Sequence, residues 1–290
     1  VARSPTAGEP AAQRWRPLVI AGGPARRVIR ALGASLLVGL VLVTVAAEVI
    51  APYDPEAQTG RPFESPTAGH WLGTNDIGQD ILSELVLGTR VSLTIGVLAA
   101  TLATAMNTLV GVLAGYFRGR VDAGLMRAVD VVLTIPLLPL MILLSAYLGS
   151  SVWNLIAVIG LLTWARPARV MRAQTLSIVE RDHVLAVRAL GAGDLRIVRR
   201  HVLPAVLPLA ATQFVLAASS AIALEAGLSF LGLGDPTQKS WGTMLFYAQA
   251  RNAFLSGSWP WWVVPPGLMI AASVLSFTFL GFGREGAAHR

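Results

Sequence analysis

Six apolar stretches separated by polar, glycine-rich or proline-rich segments set the rhythm of the chain: residues 31–51, 91–115, 124–148, 152–165, 205–226 and 263–282. About 20 apolar residues span a bilayer's hydrocarbon core as a helix, so the pattern predicts an all-α, polytopic membrane protein with six transmembrane helices. The fourth stretch is short, and its helix is expected to continue inward past Arg166, Arg169 and Arg172, whose long side chains reach headgroups or water. Pro136 and Pro139 predict a kink in the third span. In the second, Gly96, Ala100, Ala103, Asn107, Gly111 and Gly115 form a small-residue face suited to close helix packing. Ahead of it, Ile77, Ile81, Leu82, Leu85 and Val86 share one helical face and predict a short interfacial helix.

Residues 177–204, SIVERDHVLAVRALGAGDLRIVRRHVLP, interrupt this pattern with a polar island. Ser177 and Glu180 have capping-box spacing, which predicts a helix start. Gly191 and Gly193 end that helix, Asp194 is placed to cap a second one, and Pro204 lies at its far end. Two short amphipathic helices around a glycine turn are expected.

Composition narrows the class. The chain is 54% hydrophobic and only 13% charged, about half the charged fraction of a globular domain (about 25%). Cysteine is absent, which excludes disulfides, thiolate metal sites and cysteine nucleophiles. The net charge of +7 matters through its placement. Of the 23 Lys+Arg, all but Arg61, Arg90, Lys239 and Arg251 fall in the N-terminal tail (1–30), the turn after the second span, residues 166–200, or the C-terminal tail (284–290). The positive-inside rule then puts both tails and the polar island in the cytoplasm. The first apolar run starts too late and is too long for a signal peptide, so it is expected to remain as a span. Trp241, Trp259, Trp261 and Trp262 suit an interfacial belt on the other side.

Candidate chemistry is sparse. The four histidines, His70, His183, His201 and His289, are scattered, and neither H-E-x-x-H nor G-x-S-x-G occurs. The only lysine is Lys239, in Gly234-Asp-Pro-Thr-Gln-Lys-Ser240; Gln238 replaces the glycine that a phosphate-cradling loop needs. The polar island could read DNA as a helix-turn-helix or rest on anionic lipid, but flanking spans hold it against the bilayer, so no nucleic-acid partner is expected. Docking onto a cytoplasmic protein by helix-in-groove contact is the third reading. Of the intramembrane carboxylates, Glu48 is expected at the interface with Arg90, Asp130 in an inner ion pair, and Glu225 at the outer end of the fifth span. Asp130 and Glu225 are candidates for the translocation path or its gate; as coupling sites they would instead suit a proton-driven secondary transporter.

The island resembles the cytoplasmic loop of ABC-importer permeases, E-A-A-x3-G-x9-I-x-L-P. Leu185, Ala186 and Val187 stand at E-A-A, Gly191 at the glycine, His201 at the isoleucine, and Leu203 and Pro204 at the closing pair. Leu185 lacks the acidic group of that pattern. Further segments extend the resemblance: Ile50-Ala-Pro-Tyr-Asp-Pro55, His70-Trp-Leu-Gly-Thr-Asn-Asp-Ile-Gly-Gln-Asp80, Leu228-Ser-Phe-Leu-Gly-Leu-Gly234 and Ser240-Trp-Gly-Thr-Met244. Together they are similar to the second permease subunit of dipeptide/oligopeptide/nickel-type ABC importers. The resemblance implies the type I permease architecture over residues 31–283 and location in a bacterial plasma membrane. It further implies a second permease subunit as heterodimer partner, two cytoplasmic ATPase subunits that carry ATP and Mg, and an extracytoplasmic solute-binding protein. The chain itself would hold no cofactor. ATPase coupling would fall to Leu185, Ala186, Val187, Arg188, Gly191, Asp194, Leu203 and Pro204. Peptides are the expected solute, with nickel or another small solute as the alternative.

Overall fold

The computed structural model describes residues 23–282; residues 1–22 of the expected N-terminal tail, and residues 283–290 with the expected C-terminal tail, lie outside the described residues. Among those described there is no strand, only two isolated antiparallel bridges, Gln58 with Gln79 and Thr74 with Asp80. The helices are, in chain order, α1 (Gly23–Val45), α2 (Ala47–Ile50), α3 (Ile81–Phe117), α4 (Gly119–Thr134), α5 (Leu137–Leu148), α6 (Val152–Thr163), α7 (Ala165–Val179), α8 (Asp182–Ala189), α9 (Asp194–Ile197), α10 (Leu203–Leu228), α11 (Trp241–Ala250), α12 (Trp259–Trp262) and α13 (Val264–Phe282). π-helical turns at Val198–Val202 and Ser229–Leu233 flank α10.

Among the described residues, four helical runs are long and apolar enough to cross a membrane: Arg27–Val45, Ile81–Phe117, Asp194–Leu233 and Trp259–Gly281. A fifth crossing is available if α4 and α5 count as one span. They meet at 85°, a break rather than the expected kink. Pro136 explains it: the residue before a proline is forced from helical into extended backbone, and Ile135 sits at ψ 132°. The fourth expected span, α6, has only 12 residues, about 18 Å at 1.5 Å per residue. As expected, the helical path continues through Trp164 into α7, with the joint one turn ahead of Pro167.

α3 is the central post. It packs against α6, α7 and α10, while α1 lies outside on α13. The expected interfacial helix does not exist separately. Ile81, Leu85 and Val86 form the first turns of α3 itself, and Ile77 lies in the preceding turn. At 37 residues, or about 55 Å, α3 projects beyond a core of about 30 Å. Its small-residue face is buried as predicted. A Cβ on Gly96 would meet Ile222 Cγ1 at 2.4 Å, on Gly111 Met171 Cβ at 2.5 Å, and on Gly115 Thr175 Cβ at 2.6 Å, so α10 and α7 approach at backbone distance.

The tryptophan belt needs correction. Trp241 and Trp262 are core residues, packed with Ile81, Leu85, Ile222, Met244 and Phe277, and the Trp241 indole N–H donates to the Leu85 carbonyl at 3.2 Å. Of the four, only Trp259 is exposed.

Candidate functional site: a clasped hairpin and a bolted opposite end

The arginine-rich end of the bundle carries the polar island, and its boundaries differ from the expected ones. Ser177 is not a helix start. Met171, Thr175, Ile178 and Val179 bury one face of α7, so α7 runs through Ser177, and Glu180 pairs with Arg118 at 2.7 Å instead of closing a capping box. The first hairpin helix is α8. Gly191 ends it at φ +81°, the left-handed region that favours glycine; the Gly191 N–H reaches the Arg188 carbonyl at 3.0 Å and the Ala192 N–H the Val187 carbonyl at 3.3 Å. Asp194 opens α9 but caps nothing with its side chain. Its carboxylate accepts a 2.6 Å hydrogen bond from the Tyr116 hydroxyl. Nor does the second arm stop at Pro204. The Leu203 N–H bonds the Val198 carbonyl five residues back, and this wider π turn leads through Pro204, which has no N–H to donate, straight into α10.

Val184, Ile197, Val202 and Val206 close the back of the hairpin against Met171, Ile178, Val112 and Tyr116. Arg188 lies over the Tyr116 ring, 5.3 Å from its centre. The front faces outward: Leu185, Ala186, Arg188, Gly191, Asp194, Leu203 and Pro204 are exposed and Val187 is half-buried, while Leu190 and Leu195 are 87% and 70% exposed. The structure thus gathers the predicted coupling residues on one hairpin and adds Leu190 and Leu195 at its tip. Their place beside Gly191 and Asp194 was the available signal.

Ion pairs brace the same end. Arg172 grips Asp122 with two 2.5 Å hydrogen bonds, and Arg169 pairs with Asp130 at 2.5 Å. Asp130 therefore joins α4 to α7.

Glu225 belongs to the opposite end. It is fully buried in α10, where the Ser229 hydroxyl donates to it at 2.8 Å and that of Ser92 at 3.3 Å. Ser92 in turn accepts from the Trp241 N–H at 3.1 Å. Glu225 thereby ties α3 and α10 to the first residue of α11. A second buried carboxylate, Glu84, holds Lys239, together with the Asn75 amide at 2.7 Å; Lys239 also reaches Gln79 at 2.5 Å. The loop 234–240 that resembles a phosphate loop is thus bolted to α3 by its lysine. Composition flagged Lys239 but gave no sign of its partner, 155 residues away. His70 packs on Asp80 (2.9 Å), whose other oxygen caps Ser83 at the start of α3. In the same loop as Lys239, burial alone would raise the Asp235 carboxyl. Hydrogen bonds from the Thr237 hydroxyl and N–H, with the N–H groups of Val152 and Gln238, outweigh it and hold the group below the usual carboxylate range. At the boundary of α1, Arg90 pairs with Glu48 at 2.7 Å and donates to the Thr44 carbonyl at 2.8 Å.

Comparison with known proteins places these two ends in a family. The family described as "Binding-protein-dependent transport system inner membrane component" matches residues 107–283, from the middle of α3 through the hairpin and past α13. A protein of Brucella suis biovar 1 (strain 1330) named as a peptide permease is 36% identical over 258 residues, 88% of this chain and 84% of the relative. Another from the same strain, named as a peptide transport system permease, is 37% identical over 268 residues, 89% and 88% of the two chains. The glutathione transport system permease protein GsiD of Pectobacterium atrosepticum is 34% identical over 270 residues, 90% and 88%. With a match over most of its length and relatives aligned nearly end to end, the chain belongs to the binding-protein-dependent inner membrane components, the permeases of ABC importers.

Proposed function

We propose that this permease serves an ATP-driven importer of dipeptides or oligopeptides in a bacterial plasma membrane. It forms half of the translocation pathway with a second, different permease subunit. Of two cytoplasmic ATPase subunits, one docks on this hairpin, and a solute-binding protein delivers peptide at the opposite end. The names of the relatives support the solute, and the arginine distribution supports an orientation with both termini inside. ATP and Mg reside on the partner subunits in this reading, since the chain's one lysine follows Gln238 and cannot complete a phosphate loop. Asp130 and Glu225 are assigned to gating, each tying together helices that rigid-body closure would have to move.

One observation carries the docking assignment: the hairpin is anchored on its back and presents exposed leucines among its charged residues on its front. A helix pair with Val184 and Ile197 buried, yet Leu185, Leu190 and Leu195 facing out, has the form of a helix waiting for a groove.

The experiment uses Gly191. No atom lies within 4 Å of a Cβ added there, so a substitution acts through the backbone alone. Gly191→Val forces a β-branched residue to positive φ, whereas asparagine tolerates that region. In the assembled importer, Gly191→Val is expected to lose most ATP-dependent peptide uptake and ATPase co-purification while still inserting in the membrane, and Gly191→Asn to keep most of both. Normal uptake and co-purification in Gly191→Val would remove the hairpin from the coupling path. Proteoliposomes holding this chain alone under a proton gradient should take up no peptide; uptake there would favour a secondary transporter.

A further inference from the structure

Two imidazoles meet across the hairpin. His183 is in the first turn of α8 and His201 in the π turn at the base of α10, and their ring centres are 6.4 Å apart with the planes tilted by 49°. His183 is exposed and His201 half-buried. Neither ring nitrogen makes a hydrogen bond to another described side chain or backbone group, in contrast to His70, which is held by Asp80. His201 also stands where the permease pattern calls for isoleucine, so the second imidazole is a departure made by this chain.

We propose that His183 and His201 form a two-imidazole site for a borderline divalent transition ion such as Zn²⁺ or Cu²⁺, bridging the two arms of the hairpin. The geometry suits it. With a metal–nitrogen bond of about 2.0–2.1 Å, an ion sits about 3.2 Å from the centre of a ligating imidazole ring. Two rings on one ion then have centres about 5.2 Å apart at the tetrahedral angle, and about 6.4 Å at the linear limit. The observed separation needs a closure of about 1 Å, which rotation about the side-chain bonds supplies. Imidazole nitrogen is the preferred neutral ligand for these ions. Among the described residues no third His, Asp or Glu completes the set, so water fills the remaining positions and exchange with the medium stays open. The surrounding charges are mixed: Arg181, Arg199 and Arg200 oppose a cation, and Asp182, next to His183, offsets part of that. Such an open, two-ligand site is unlike closed structural zinc centres, which take four protein ligands.

A bound ion would pin α8 to the base of α10 and stiffen the element that the docking assignment moves. That consequence rests on the proposed function; the site itself does not. The test therefore reads binding first. Tag-free importer complex is titrated with Cu²⁺ and Zn²⁺, with His201→Ile, which installs the residue of the family pattern, and His183→Gln as variants. Wild type is expected to show one more Cu²⁺ with two coupled nitrogens by paramagnetic resonance, and one more calorimetric Zn²⁺ equivalent, than either variant. Each single replacement should remove the whole difference, as a two-point site demands. Equal binding in all three proteins, or a loss on replacing only one histidine, would overturn the site. With binding established, Zn²⁺ should slow ATP-driven uptake several-fold more in wild type than in His201→Ile, each relative to its own metal-free rate. Equal sensitivity would leave the ion site standing and count against the hairpin as the moving part.

Discussion

Replacing Lys239 with methionine isolates the electrostatics that hold the end opposite the hairpin. Glu84 is 2% exposed and Lys239 24%. After the substitution the carboxylate keeps the Asn75 amide but loses its cation. Removing one partner of a buried pair costs about 3–5 kcal/mol, because the other charge is stranded away from water. Partial exposure of Lys239 argues for the lower figure, about 3 kcal/mol. Glu84→Gln is the asymmetric counterpart. It keeps an oxygen for Asn75 and strands nothing, since Lys239 still has Gln79 and access to water, so about 1 kcal/mol is expected. The decisive protein is the double variant. With neither charge present, Lys239→Met/Glu84→Gln should be more stable than Lys239→Met alone, by about 1–2 kcal/mol. Urea unfolding of purified protein in detergent, followed through intrinsic tryptophan fluorescence, to which buried Trp241 and Trp262 contribute, reads all four proteins. If the double variant loses the sum of the two single losses, the two groups are uncoupled and the pair is not what fastens this loop to α3.

Two further outcomes are expected. Gly115→Leu, whose first carbon would already lie 2.6 Å from Thr175 Cβ and 2.9 Å from the Arg172 carbonyl, should force α3 and α7 apart and lower the unfolding free energy by more than the ~1–3 kcal/mol of ordinary overpacking; Gly124→Leu, with open space around it, should cost under about 1 kcal/mol, and equal losses at both positions would contradict the packing described. Asp235, whose carboxyl is held below its usual range, contributes stability that is present above the pKa of the unfolded chain and is lost as pH falls through the lower folded value. The wild type should therefore lose more stability on acidification than Asp235→Asn, and parallel pH profiles would refute that contribution.

Much of the fold could be read from periodicity alone. The crossings α3, α10 and α13 were each signalled by a run of apolar residues, and the α3 packing face by its spacing of small residues. What could not be read depended on distant partners. The Ser177–Glu180 spacing is a genuine local signal for a helix start, but Thr175, Ile178 and Val179 gain more by burial along α3, and Arg118 takes the glutamate. Trp241 reads as an interfacial residue until its neighbours on α3 and α10 are known. The hairpin turn was legible because Gly191 needs only its own backbone to act. Glu84–Lys239 and Tyr116–Asp194 were not, because no local pattern announces a partner 155 or 78 residues away.

A single helical path joins the two ends. From Asp194 to Leu233 it runs 40 residues, about 60 Å, with the hairpin turn at its start and Glu225 with Ser229 near its finish. A continuous helical rod transmits displacement well along its axis and absorbs little of it. The regular ladder is interrupted by the π turns at Val198–Val202 and Ser229–Leu233 and by Pro208, which has no N–H to donate inside α10; the compliant points therefore lie just inside the hairpin, in the first turns of α10, and just beyond Glu225, where Gly232 takes φ +83°. If the hairpin is moved by ATPases, as proposed, the stiff middle would carry that motion to the second π turn, and the hydrogen bonds from Ser92 and Ser229 to Glu225 are the first it would have to break. The long helix, rather than the polar island by itself, is then the element through which the two ends of the molecule can be coupled.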